Sequence, residues 1–204
     1  MDTQLTLVDM TAPLPQREAR TVLLFSRDSL MNTTLRIRGT QSTVYVVKTN
    51  FKSTRTTVSR MIPGSDQGAV EVARIDRNDI FPDKVTFEGF PSMKLNSWLK
   101  KQSFTDPAQS KADSPKKYVW KPTNLREIAL YEEDMPLRPI AWFRASAPDE
   151  SASLSLQSEA EVIQDAVLTS LIIVEQRYRV ESKWARVGDG VGQLIAQPLH
   201  AATM

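Results

Sequence analysis

A chain of 204 residues with 41% hydrophobic and 25% charged side chains is long enough to fill one hydrophobic core and too apolar to be disordered throughout. Its net charge of +2 argues against a polycation built for nucleic acid, and the absence of cysteine excludes disulfides, thiol catalysis and cysteine-type zinc sites. No stretch of about 18 consecutive apolar residues is present, so no transmembrane segment is predicted.

The N-terminal residues show no hydrophobic periodicity. They carry Asp2 and Asp9 and lack an apolar segment, which does not match a secretory signal. We therefore expect an intracellular, cytoplasmic protein with a flexible N-terminal segment over residues 1–18. One domain is expected over residues 19–183, and the glycine-containing residues 184–204 predict a C-terminal tail.

From residue 22 onward the chain is a series of short segments rich in β-branched and aromatic residues, separated by glycine and proline turn signals. In one of them, Leu35 and Ile37 alternate with polar residues, as in a strand with one buried face. Segments of this kind predict antiparallel strands joined by hairpins. The candidate strands are 22–25, 33–38, 44–49, 54–62, 70–75, 84–87, 93–95, 118–120, 128–131, 140–143 and 154–156.

Residues 158–180 predict one long helix. Ser158 and Glu161 have the spacing of a capping box, and Arg177 and Arg179 complement the negative end of the helix dipole. The residues between these ends are apolar on nearly every side, which is typical of a helix that is buried on nearly every side.

In a β-rich chain, a curved or closed sheet is the element that can surround such a helix. The sequence therefore predicts a closed antiparallel β-barrel of about 11–12 strands around the helix. The alternative is a β-sandwich with the helix packed on one face.

Three segments also carry a family resemblance. Residues 29–35, 44–52 and 55–58 resemble, in order and spacing, the opening of a basidiomycete fungal family called domain of unknown function 6593, whose members carry "LNTT", "Y-x-V-x-T-P-F-K"-like and "RTTT"-like stretches. The family's acidic-start apolar helix is matched by residues 159–179, so the similarity extends from residue 22 to residue 180. Asn50 stands where a proline is common, and residues 105–115 form a local insertion. The resemblance implies a tubby-like or LURP-one-like layout, in which a β-barrel closes around a C-terminal helix.

Basic residues are concentrated between residues 17 and 60, where nine Lys or Arg stand against two acidic residues. If the predicted strands pair as successive hairpins, their side chains form a positive patch that can contact phosphate groups. The candidate ligand-binding residues are Arg36, Arg38, Lys48, Lys52, Arg55 and Arg60.

In tubby-like proteins a comparable basic hairpin face binds phosphoinositide headgroups, so the resemblance implies binding of anionic membrane lipid and a peripheral membrane location. The alternative is an ordinary solvated face on a structural or protein–protein interaction module. Only Tyr45 and Phe51 are interleaved with the basic residues, which argues against nucleic-acid binding.

The sequence favours a non-enzymatic domain without a cofactor or metal. The single histidine, His200, excludes a multi-histidine metal site and a histidine-dependent triad. A carboxylate-based hydrolase is the minor alternative, because four acidic residues lie close together in sequence; they are Asp76, Asp79, Asp83 and Glu88. Their spacing does not fit a Ca²⁺ loop, and a solvated turn explains them better.

Three tryptophans lie in or beside predicted strands or a short helix over residues 95–101. Trp98, Trp120 and Trp142 are therefore expected to pack in the core or at its rim. Stacking against a flat ligand such as a sugar is the alternative function for these rings.

Overall fold

The computed structural model describes residues 19–27, 29–63, 68–110 and 112–195, with side chains described as far as residue 180. Over these residues the chain forms twelve strands, three α-helices and a 3-10 helix at Pro107–Gln109. The strands are β1 (Thr21–Phe25), β2 (Thr33–Ile37), β3 (Thr43–Thr49), β4 (Arg55–Met61), β5 (Ala69–Asp76), β6 (Lys84–Phe87), β7 (Met93–Lys94), β8 (Ser103–Thr105), β9 (Lys117–Asn124), β10 (Glu127–Glu132), β11 (Pro139–Arg144) and β12 (Ser153–Leu156). The helices are α1 (Leu95–Trp98), α2 (Ser158–Val162) and α3 (Gln164–Ile195).

All twelve strands belong to one antiparallel sheet with the order β7-β6-β5-β4-β3-β2-β1-β12-β11-β10-β9-β8. The mostly β class is confirmed, and each of the eleven candidate strands corresponds to an observed strand. The sequence missed β8, a three-residue strand that pairs Phe104 with Tyr118 of β9.

The prediction of a closed barrel is wrong. The edges of the sheet are β7 and β8, and in the described part of the chain no ladder joins them. The physical reason lies in the connection between these strands, which forms α1 and a tight turn closed by hydrogen bonds between Lys100 and Ser103 instead of a pairing strand. The sandwich alternative is also wrong, because a sandwich needs two packed sheets and the described strands form one.

Side chains fill the gap between the two edges. Trp98 of α1 packs against Phe87 of β6 and Phe104 of β8, with ring centroids 4.9 Å and 5.5 Å apart. Phe104 in turn lies 5.5 Å from Tyr118 of β9. This row of aromatic rings therefore covers the core between β7 and β8, where the described residues form no ladder.

The sheet curves around α3. Tyr45 of β3 donates a hydrogen bond to Asp165 in the first turn of α3, and Trp120 of β9 donates one to Ser170 in the same helix. Five strands separate β3 from β9 in the sheet, so contact of both with one helix requires a strongly curved sheet. Residues 166–174 of α3 are all buried, which confirms the predicted burial for this part of the helix, whereas Val162 is exposed.

The start of the helical region differs from the prediction. A break at Ile163 divides it into α2 and α3, and Gln157, without a side-chain cap, precedes α2. The predicted capping box is wrong because Glu161 instead accepts a hydrogen bond from Thr21 and pairs with Arg20 at 3.3 Å.

Helix α3 continues to residue 195. The segments 1–18 and 196–204 lie outside the described residues.

Candidate functional site

The connections between antiparallel strands lie alternately at the two ends of the sheet. The turn 50–54 after β3 and the loop 77–83 after β5 share one end, where the backbone N–H of Arg77 donates to the carbonyl of Thr54 at 2.7 Å. Gln176 of α3 reaches the same place and accepts a hydrogen bond from Arg77 at 2.8 Å. We call this the exit end, because α3 leaves the sheet here. The β2–β3 turn, residues 38–42, lies at the opposite end.

Three of the six basic residues predicted from sequence lie together at the exit end. Lys48 is near the end of β3, Lys52 is in the turn and Arg55 begins β4, and all three side chains are exposed. Arg55 also pairs with Asp76 of β5, with Nε and Oδ1 2.6 Å apart, so its charge is partly neutralised.

Arg36 and Arg38 lie at the opposite end of the same sheet face. Arg36 is opposite Thr43 in the β2–β3 ladder and donates to Gln41 at 3.2 Å. Lys48 lies five positions after Thr43 in β3, which corresponds to about 16 Å along the strand. The two groups of basic residues therefore do not form one patch.

Arg60 lies on the other face of the sheet. It shares a face with buried Val58, and its guanidinium lies 3.2 Å from a carboxylate oxygen of Asp165. The other oxygen of Asp165 accepts the hydroxyl of Tyr45. Burial of Tyr45, and next the negative charge of Asp165, raise the pKa of this phenol far above its usual range. Arg60 thus connects β4 to the start of α3.

The exit end contains two further basic residues, which are not among the six predicted from sequence. Arg77 is half-buried and donates to Thr56 and Gln176, both at 2.8 Å; burial lowers its pKa. Lys84 begins β6 and is exposed. With Asn50, Thr54, Arg55 and Phe81, both line a groove of about 510 Å³.

Apolar side chains project from the β3–β4 turn and from the β5–β6 loop. Phe51 at the tip of the β3–β4 turn is 103% exposed, and Ile80 and Phe81 of the β5–β6 loop are 89% and 71% exposed. Large apolar side chains that are grouped and exposed often mark an interaction site. The charges of residues 76–88 predict a solvated turn, and the apolar pair inside this segment is the one sequence feature that marks the site.

Acidic residues of this region contact other groups of the chain. Asp76 accepts from Arg55 and also lies 3.2 Å from Arg74, whereas Asp83 accepts the backbone N–H of Asn78 at 3.0 Å. Glu88 follows β6, at the opposite end of the sheet. Among the described residues, no group of three His, Cys, Asp or Glu side chains could hold a metal ion.

The three tryptophans are buried, which confirms their predicted role in packing. Trp98 donates to the carbonyl of Thr105 and Trp120 to Ser170, both at 2.9 Å. Trp142 lies in a separate cluster with Ala129 and Tyr131. None of these three rings is available for stacking against a ligand.

The architecture is thus a curved, open β-sheet around a buried helix. Basic and aromatic residues lie at the end of the sheet where the helix emerges. Residues 28–180 match the model of a family of unknown function, DUF6593, and the chain belongs to this family. No curated protein matches the chain, and no solved structure matches it. No helix of the described residues has both the length and the hydrophobicity needed to cross a membrane.

Proposed function

We propose that the exit end binds the surface of membranes that contain anionic phospholipid. The observation that carries this proposal is the position of Phe51, Ile80 and Phe81, three exposed apolar side chains on two adjacent connections. Lys52 lies beside the first, and Lys84 follows the second. Apolar side chains that enter the headgroup region and cations that contact lipid phosphates are the two components of peripheral membrane binding.

The charge of the two proposed contact segments, residues 48–55 and 76–84, is consistent with weak and reversible binding. In these segments five basic residues stand against three acidic ones, an excess of 5 − 3 = +2; they are Lys48, Lys52, Arg55, Arg77 and Lys84, with Asp76, Asp79 and Asp83. Each basic residue near an anionic surface contributes about 1 kcal/mol, and this attraction is screened by salt. The apolar side chains must therefore supply part of the affinity.

The choice of phosphoinositide as the lipid rests on the sequence resemblance. The basidiomycete origin of the chain and a cytoplasmic, peripheral location are proposals with the same basis. We propose the loops, and not the flat strand face, as the contact, since Arg36 and Arg38 lie at the opposite end.

Co-sedimentation with phosphatidylcholine vesicles, with and without a phosphoinositide, tests the proposal. The wild-type chain is expected to bind only the phosphoinositide vesicles and to be released by salt. Lys52→Glu combined with Lys84→Glu should abolish binding, whereas Arg36→Glu combined with Arg38→Glu should leave most of it. The reverse pattern would support the flat strand face and contradict a site at the exit end.

The apolar contribution has its own matched pair of variants. Phe51→Ala combined with Phe81→Ala keeps the charge and should weaken binding. Leu137→Ala removes a side chain that is 95% exposed at the opposite end and should not. A chain that binds no vesicles at any salt concentration would favour the alternative, a structural or protein–protein interaction module.

A further inference from the structure

Three neighbouring strands, β10, β11 and β12, are buried on both faces. The outer face of β2 is open: buried Thr33 and Leu35 alternate with exposed Thr34 and Arg36. In β11, by contrast, every residue but the last is buried, and β10 and β12 each have only their first residue partly exposed. A sheet face loses exposure in this way when another segment covers it.

The buried outer face is an apolar cluster separate from the main core. It consists of Ala129 and Tyr131 of β10 and Trp142 of β11. The neighbouring Ser155 of β12, opposite Trp142 in the ladder, is also buried. Lys121 covers part of this face, with its Nζ 5.2 Å from the centre of the Tyr131 ring.

The chain reaches this face from its N-terminal side. Ala19, the first described residue, packs against the cluster. The next residue, Arg20, donates its backbone N–H to Leu156 of β12 at 2.9 Å and so extends the β1–β12 ladder. Helix α2 is not the cover, because its buried residue Ala160 belongs to the main core.

We propose that residues 1–18 of this chain bind across the outer face of β10, β11 and β12. This segment contains five apolar side chains suited to such a face; they are Leu5, Leu7, Val8, Met10 and Leu14. Strands lie about 4.8 Å apart and an extended chain advances about 3.3 Å per residue, so about five residues suffice to cross three strands. The segment is long enough to cover the cluster and continue beyond it.

A spin label in the full chain tests this proposal without lipid. Because the chain has no cysteine, Val8→Cys gives one site for a nitroxide. The label is expected to broaden the NMR signal of the Trp142 indole N–H strongly. The Trp98 indole, which donates to Thr105 at the open edge of the sheet, serves as the internal control and should change much less.

A charged variant on the face should release the segment. Ala129→Glu is expected to remove the broadening at Trp142, whereas Thr34→Glu, on the exposed outer face of β2, should leave it intact. An unchanged Trp142 signal with labels at position 5 and at position 8 would overturn the proposal. So would broadening between labelled and unlabelled molecules in a mixed sample, because a second copy would then be the cover. The labelled chain decides the question even if Ala129→Glu fails to fold.

Discussion

The indole N–H of Trp120 donates a hydrogen bond to the hydroxyl of Ser170 at 2.9 Å, and both residues are fully buried. The bond joins β9, next to one edge of the sheet, to the middle of α3. Ser170 in turn donates to the carbonyl of Val167 at 2.9 Å. A polar residue therefore stands in the apolar helix because it satisfies the buried indole, which has no access to water.

Ser170→Ala should destabilise the fold. The substitution leaves the Trp120 indole N–H buried without its acceptor, which costs about 1–3 kcal/mol of the free energy of unfolding. Urea denaturation measures the change. Ser42→Ala, at an exposed position, should stay within about 0.5 kcal/mol of the wild type. Ser170→Ala should cost less in a Trp120→Phe background, where the bond is already absent. A stable single variant would contradict this role of the bond.

Tyr45 should make stability fall at high pH. Its pKa is raised in the folded state, so the unfolded chain loses the phenol proton first, above about pH 10. Stability from this group is therefore complete below that pH and decreases above it by up to about 1.4 kcal/mol per pH unit. The stability difference between wild type and Tyr45→Phe should shrink from pH 8 to pH 11. A constant difference over this range would contradict the assignment.

Trp98→Ala should open the gap between the sheet edges. The ring contacts Phe87 and Phe104 and donates to Thr105, so its removal leaves a cavity where no ladder holds the edges together. We expect a loss of about 3–5 kcal/mol in the free energy of unfolding. Phe51→Ala removes an exposed aromatic ring and is the matched control, with a change near zero. Equal stability of the two variants would show that the aromatic row does not close the core.

The strands were predictable because their signals are local. Alternation and turn residues locate eleven of them, whereas β8 has only Ser103, Phe104 and Thr105 and shows no pattern over so short a length. Closure of the sheet is not a local property. It depends on whether β7 and β8 meet, and the short helix α1 between them prevents this.

The candidate site was predictable in part. Hairpin pairing of β2, β3 and β4 is observed, but a shared face does not bring Arg36 near Lys48, because distance accumulates along a strand. The separation of Arg55 from Arg60 could have been predicted: they are an odd number of residues apart in one strand, which places them on opposite faces. The exposure of Ile80 and Phe81 required the structure, since an apolar pair in a loop is just as compatible with burial.

The most direct test of membrane binding at the exit end uses an environment-sensitive fluorophore on a single introduced cysteine. Phe51→Cys places the dye at the exit end, and Leu137→Cys places it at the opposite end of the same sheet. With phosphoinositide-containing vesicles, we predict a blue shift of the dye at position 51 and no shift at position 137. A shift at position 137 alone, or no shift at either position, would contradict the account.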